Sequence, residues 1–338
     1  MRQSLANRGI PPPPRGVTDG AGTRLDQAMK LGEKFHPARL MRRFVPSTLT
    51  PLQADSTYGP PPETLGRIGS LEVRLARSQR EVKLAQALRF NVFYKEMSAQ
   101  ANAALMLRRR DVDGFDAICD HLLVIDHDAE PQGAPAYRGR KGPAVVGTYR
   151  LLRQEVAERN GGFYTSGEFE IEGLIERKRP LRFMELGRSC VLKSYRNKRT
   201  VELLWSGIWS YVQHYEVDVM LGCASLEGCD VDRLALPLSF LQHNAAAPDE
   251  WRVRAVPSRR VPMDRMPAGE VDMRQALNQL PPLVKGYLRL GAYVGDGAVV
   301  DYQFGTTDVL VVLPVASINP RYFGHFGAPK ERAPRPTH

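Results

Sequence analysis

The strongest chemical signal in the chain is Arg196-Asn197-Lys198-Arg199-Thr200-Val201, where a strand-like run passes through a basic turn directly into a helix-like one. A helix start offers unpaired backbone N–H groups and a partial positive charge, so a phosphate belongs there, and the cations of the turn reinforce it. Other reactive side chains are less promising. Cys119, Cys190, Cys223 and Cys229 include no pair at zinc-finger spacing, and each sits in an apolar stretch, so buried, reduced thiols are expected. Cys190 as a nucleophile would need an activating base beside it, and none stands nearby in the sequence. His121 and Asp126 have the spacing of a His-x4-Asp dyad. Five residues apart in an apparent strand, they fall on opposite faces, which leaves His121 as a core or edge histidine.

The elements that must carry these residues follow from periodicity. Leu71-Glu72-Val73-Arg74-Leu75 alternates as a half-buried strand, and Leu84, Ala85, Leu88 and Val92 form an apolar stripe that predicts a helix over 81–95. Strands are expected at 121–125, 145–152 and 182–192, separated by segments rich in Gly, Pro and charge, which suggests a central antiparallel sheet. Val201, Leu204, Trp205, Ile208, Val212 and Tyr215 recur every three or four residues, so 200–215 is a helix, followed by a buried strand at 217–223. A helix is expected over 231–243, where Pro237 argues for a kink or a late start. Residues 245–280 read as a long surface excursion, then a short helix at 283–290, a Gly-rich stretch at 291–297 and a strand at 309–313. This order is α+β rather than doubly wound.

The chain has 338 residues, 43% of them apolar, enough for a substantial core. No run approaches the roughly 20 apolar residues of a membrane-spanning helix. The N-terminus has no hydrophobic stretch flanked by a cleavage site, so a cytoplasmic protein is expected. Residues 1–70 hold ten Lys and Arg against five Asp and Glu, and residues 321–338 hold four against one, so the tails carry +8 of the formal +10. Ten of the 26 prolines also fall in 1–70, which is expected to be a disordered basic arm, with a short amphipathic helix at 25–44 as one alternative. Such tails suit nucleic acid, an anionic membrane surface or an acidic protein. No RNA-binding aromatic signature or recognition-helix pattern supports nucleic acid.

The basic turn resembles the pyrophosphate loop of GNAT acyltransferases, and further segments resemble ornithine N-acyltransferases closely and acyl-homoserine-lactone synthases distantly. They are Arg89-Phe90-Asn91-Val92-Phe93-Tyr94, Asp113-Gly114-Phe115-Asp116, Cys119-Asp120-His121-Leu122-Leu123-Val124, Val146-Gly147-Thr148-Tyr149-Arg150-Leu151-Leu152, Glu185-Leu186-Gly187-Arg188-Ser189 and Lys285-Gly286-Tyr287-Leu288-Arg289-Leu290-Gly291-Ala292. Their order and spacing, over about 71–319, make the signal specific. The resemblance implies a GNAT-like α+β domain at 71–320 with a central, mostly antiparallel sheet flanked by helices; the charge count leaves 321–338 as a basic tail beyond it. It implies transfer of a fatty acyl group, of the 3-hydroxy type, from acyl carrier protein to the α-amine of L-ornithine, with no bound cofactor and no metal. Arg199 and Val201 stand where the wider family has small residues that admit a diphosphate. Phosphopantetheine on an acidic carrier, contacted by Arg196, Lys198, Arg199 and Thr200, therefore fits better than coenzyme A.

Aminolysis of a thioester needs a free amine, a polarised carbonyl and a thiolate able to leave. By resemblance Glu185 is the base and Arg188 its catalytic partner, with Gly187 between them permitting a bulge that turns both to one side; otherwise they form a surface pair on an edge strand. Asp113 and Asp116, with Arg89 and Arg150, either clamp the amino acid or form an ion network under a lid. Competing readings are homoserine-lactone synthesis and a non-enzymatic module binding nucleic acid or a membrane through its tails.

Overall fold

The computed structural model describes residues 58–97, 99–101, 103–128 and 143–318. The helix expected at 25–44, the arm up to residue 57 and the tail at 321–338 lie outside the described residues. In chain order the elements are β1 (Gly66–Ile68), β2 (Leu71–Leu75), α1 (Gln79–Phe90), α2 (Ala103–Arg108), β3 (Asp120–Asp126), β4 (Ala144–Arg153), α3 (Gln154–Arg159), α4 (Glu172–Arg177) and β5 (Phe183–Val191). They continue with α5 (Lys198–His214), β6 (Val219–Glu227), α6 (Ala235–Asn244), β7 (Arg260–Val261), α7 (Met273–Gln279), α8 (Pro282–Leu290), β8 (Tyr293–Asp301) and β9 (Thr306–Pro314).

The strands form one sheet in the order β1-β2-β3-β4-β5-β6-β9-β8-β7. Every neighbouring pair is antiparallel except β5 and β6, which are parallel because α5 crosses over between them. Asn197 starts that helix by accepting the Thr200 N–H on its side chain. Leu203, Leu204, Ile208, Tyr211 and Val212 then lie buried against one face of the sheet. Each such apolar side chain contributes about 1.5–3 kcal/mol of burial. Gly207 lets the helix approach closely, since a Cβ there would stand 2.6 Å from Val73 Cγ2. On the opposite face α1 packs Ala85 and Leu88 against Leu123, Ile125 and Val145. It then runs into a π-helical turn, Asn91–Glu96, the kind of local underwinding that often accompanies function.

Three expectations change. Residues 58–70, assigned to the arm, belong to the fold: Leu65 is buried, and β1 pairs with β2 through a turn in which Gly69 adopts φ +60°. A three-residue strand just after a run of prolines leaves no periodicity to read. The Gly-rich stretch at 291–297 is largely strand β8. Gly295 is there because the strand is crowded, a Cβ meeting Leu310 Cβ and Val253 O at 3.0 Å each. The excursion at 245–280 contains β7 and α7. Of the two alternatives at Pro237 the late start holds: α6 begins at Ala235, so Pro237 falls in its first turn, where it breaks no hydrogen bond.

What positions the site is a split in the sheet. β5 and β6 pair only at Phe183 with Val219, Met184 with Met220 and Glu185 with Leu221, although both strands run on. Beyond that point they part. Gly222 rides directly over the Leu186 carbonyl, where a Cβ would be 2.3 Å from the oxygen. The N-terminus of α5 follows the far end of β5, at the open side of the wedge.

Candidate active site where two parallel strands part

The register of β4 against β5 shifts between Thr148, opposite Cys190, and Arg150, opposite Gly187. Arg188 and Ser189 therefore both oppose Tyr149, forming a bulge. The residue that takes the left-handed conformation is Arg188, at φ 51°, not the neighbouring glycine. A non-glycine residue there costs roughly 1–3 kcal/mol, which its ion pairs offset. The bulge brings Glu185, Arg188 and Arg150 to one face.

Six alternating charges form a closed ring on that face. Arg89 Nε lies 2.9 Å from Asp111 Oδ2, and Arg89 Nη2 2.8 Å from Asp116 Oδ1. Arg150 Nη1 lies 2.6 Å from Asp113 Oδ1 and 3.4 Å from Asp116 Oδ1. Arg188 closes the ring through Asp113 Oδ2 at 3.1 Å and Asp111 Oδ2 at 3.3 Å. Asp113 and Asp116 also form a reciprocal capping box on the one-turn helix Gly114–Ala117, which fixes both carboxylates before any ligand arrives. Burial works against the Asp113 carboxylate, yet Arg150 and Arg188 hold its pKa well below the usual range. The Arg89 side chain is 0% exposed, so it braces Asp111 and Asp116 from beneath instead of reaching a substrate. Asp113 and Arg188, at 13% each, form the open edge.

Glu185 is buried, and its carboxylate accepts three hydrogen bonds from a short turn, Tyr164–Gly167. Tyr164 N–H donates to Oε2 at 2.9 Å, Thr165 N–H to Oε1 at 2.7 Å, and the Thr165 hydroxyl to Oε1 as well. Burial nevertheless leaves the carboxyl above its ordinary pKa. The Tyr164 ring sits 5.0 Å from the Arg188 guanidinium carbon, and the Phe304 ring 4.7 Å from it.

The basic turn is partly engaged already. Arg196 pairs with Glu96 of the π turn at 2.6 Å and donates to Val191 O at 2.9 Å. Arg199 lies over the Gly69 turn, Lys198 is exposed 3.5 Å from Glu202, and Thr200 is buried with its hydroxyl on Asn197 Oδ1 at 3.3 Å. His121 and Asp126 are on opposite faces: His121 Nε2 bonds Asp116 O, and Asp126 accepts from Tyr195. Burial drops His121 to about 4, so its imidazole is neutral. The Cys190 and Cys223 thiols are pushed up by burial, which keeps them un-ionised.

Sequence reasoning missed Asp111, Tyr164, Thr165 and a carboxylate trio. One oxygen each of Glu168, Asp301 and Asp308 lies within 4.8 Å of the others, the only such cluster among the described residues able to hold a cation. Burial raises the carboxyl pKa of both Glu168 and Asp308, and repulsion from Asp308 adds to the shift of Glu168. An acidic residue inside the apolar run Thr306–Pro314 was the one signal that could have flagged the trio.

Residues 88–206 match the Acetyltransferase (GNAT) domain family. The chain is 53% identical to the L-ornithine N(alpha)-acyltransferase of Agrobacterium fabrum, over 79% of this chain and 88% of the relative. It is 53% identical to the Rhizobium meliloti enzyme of that name, over 82% and 91%, and 36% identical to the Rhodobacter capsulatus enzyme, over 75% and 93%. Among solved structures, an N-acyl amino acid synthase from uncultured soil microbes, FeeM, aligns with a TM-score of 0.42 at 8% identity, over 73% of this chain and 91% of its own. No helix among the described residues is long and apolar enough to cross a membrane. With an acetyltransferase-type domain and relatives of more than half identity along most of its length, this chain belongs to the L-ornithine N(alpha)-acyltransferase family.

Proposed function

We propose that the protein transfers a 3-hydroxy fatty acyl group from acyl carrier protein to the α-amine of L-ornithine, giving a lyso-ornithine lipid. The observation that carries the mechanism is the bulge that turns Glu185 and Arg188 to the same face, beside Arg150, where β5 leaves β6. The acceptor nitrogen attacks the thioester carbon, forming C–N; C–S then breaks, and the sulfur leaves as a thiolate that takes a proton from solvent. The proton lost by the amine goes to Glu185, whose raised pKa brings it nearer to that of an amine. Arg188 and Asp113, at the open edge of the ring, orient the acceptor, while Arg150 and Asp116 hold them in place.

Phosphopantetheine lies in the wedge with its phosphodiester near the N-terminus of α5, where the helix dipole and Lys198 and Arg199 favour an anion. Acyl carrier protein is the donor because the bulky Arg199 and Val201 leave less room for the diphosphate of coenzyme A. The basic tails hold the enzyme against the anionic inner face of the membrane, where the product inserts. The test is a comparison of purified protein supplied with ornithine and either acyl carrier protein or coenzyme A bearing the same acyl chain, with the product identified by mass spectrometry. A kcat/KM at least tenfold higher with the carrier protein is expected. Equal values would reject the donor assignment.

A further inference from the structure

The carboxylate trio takes no part in the chemistry above, yet it is tied to the same site through neighbouring side chains. Glu168 ends the turn whose Thr165 caps Glu185, and Thr165 Oγ1 lies 3.8 Å from the Cys223 thiol on β6. Asp308 stands on β9 opposite Ser225, two residues along β6 from Cys223. Asp301 accepts the N–H of Phe304 at 3.0 Å, and the Phe304 ring packs on Arg188. Two independent bridges, Thr165 and Phe304, thus join the trio to the Glu185–Arg188 bulge.

Glu168 and Asp308 are buried and Asp301 is half-buried, and carboxylates held this close need protons or a cation between them. Arg259 supplies one only in part, its Nη2 lying 3.6 Å from Glu168 Oε1. Glu168 is 3% exposed, and its Oε2 has no nitrogen or oxygen donor among the described residues, only the weakly donating Cys223 thiol standing beside its carboxylate. Such an oxygen carries its full desolvation penalty until something donates to it. An ammonium has three N–H donors for three carboxylates. A hard divalent cation such as magnesium or calcium takes six or more oxygens, whereas here a guanidinium stands beside one carboxylate and another caps a loop.

We infer that Glu168, Asp301 and Asp308 form the specificity pocket for the side-chain ammonium of a basic amino acid, while its α-amine faces Glu185. The inference rests on the acceptor proposed above. It explains selection of a diamino acid by the same rule that governs any buried polar pocket: an acceptor without the second amine leaves the Glu168 Oε2 without a donor and is rejected strongly.

The experiment compares ornithine with norvaline, which has the same skeleton without the terminal amine, using full-length enzyme and one acyl donor. Wild-type kcat/KM should favour ornithine by more than about 100-fold. Glu168→Gln, Asp301→Asn and Asp308→Asn should each cut that ratio at least tenfold, whatever happens to the absolute rates. Ornithine should also raise the Tm of the wild-type protein where norvaline does not, a readout that needs no donor. Wild-type acylation of both amino acids at similar rates would overturn the inference while leaving acyl transfer intact. Discrimination that disappears with EDTA and returns with magnesium or calcium would overturn it in favour of a metal site. Failure to acylate any amino acid would remove the acceptor reading and the inference with it. Asp301, the least buried of the three, keeps the test open if the Glu168 or Asp308 variant does not fold.

Discussion

Replacing Glu185 by Gln separates its two jobs, proton acceptance and support of the Tyr164–Gly167 turn. The carboxylate takes donors on both oxygens. A glutamine keeps one oxygen, best placed toward the two Thr165 donors, and turns its NH2 toward the Tyr164 N–H. One buried donor loses its partner, a loss of about 1–3 kcal/mol, partly offset because a buried charge disappears. At roughly 2–4 °C per kcal/mol for a domain of this size, Tm should fall by about 2–10 °C while the protein stays folded at 25 °C. If Glu185 is the base, kcat at neutral pH should drop by about 100-fold or more, with recovery as pH rises and free amine becomes abundant. The assay is thiol release from the acyl donor across a pH series, with circular dichroism melts on the same samples. A kcat within threefold of wild type, or a loss that stays constant with pH, would refute proton acceptance and leave Glu185 as the anchor of the turn.

Arg188→Lys keeps the charge but not the fork that spans Asp111 and Asp113, so the acceptor KM should rise about tenfold with a smaller change in kcat, measured by steady-state kinetics. Asp116→Asn leaves the fully buried Arg89 short of one counter-charge and should destabilise the fold by about 3–5 kcal/mol, read from denaturant unfolding. Burial raises the folded-state pKa of Glu168 and Asp308, so the folded protein holds protons that the unfolded chain has already released. Their contribution to stability is full below the ordinary carboxylate range and is lost as pH climbs through about 6 for Asp308 and about 8 for Glu168. Melts of wild type and Asp308→Asn over about pH 5–8 should show the flatter profile in the variant.

The helix at Lys198–His214 was legible because Leu204, Ile208 and Val212 repeat at the spacing of a helix face. The strands around Arg150 and Glu185 were legible as runs bounded by segments rich in Gly, Pro and charge, and Gly187 pointed to a bulge without showing that Arg188 would carry the positive φ. What could not be read was register. Thr165 reaches Glu185 from 20 positions upstream, and Asp308 meets Glu168 only because β9 inserts between β6 and β8. No local pattern records either meeting. The trio and the partners of Glu185 therefore come from strand order, a property of the whole chain. Gly295 and Gly297 misled for a related reason, since glycine marks both a free turn and a place too tight for a side chain.

The meeting of Gly222 with the Leu186 carbonyl has a mechanical meaning. β1 to β5 and β6 to β9 behave as two leaves joined along three residue pairs, and position 222 is where the joint ends. The contact is backbone against backbone, so it cannot relax by a rotamer change. A single methyl group at residue 222 would act as a shim between the leaves. The gape of the wedge, and with it the distance from Arg188 on one leaf to Asp308 on the other, is thus set by a hydrogen atom.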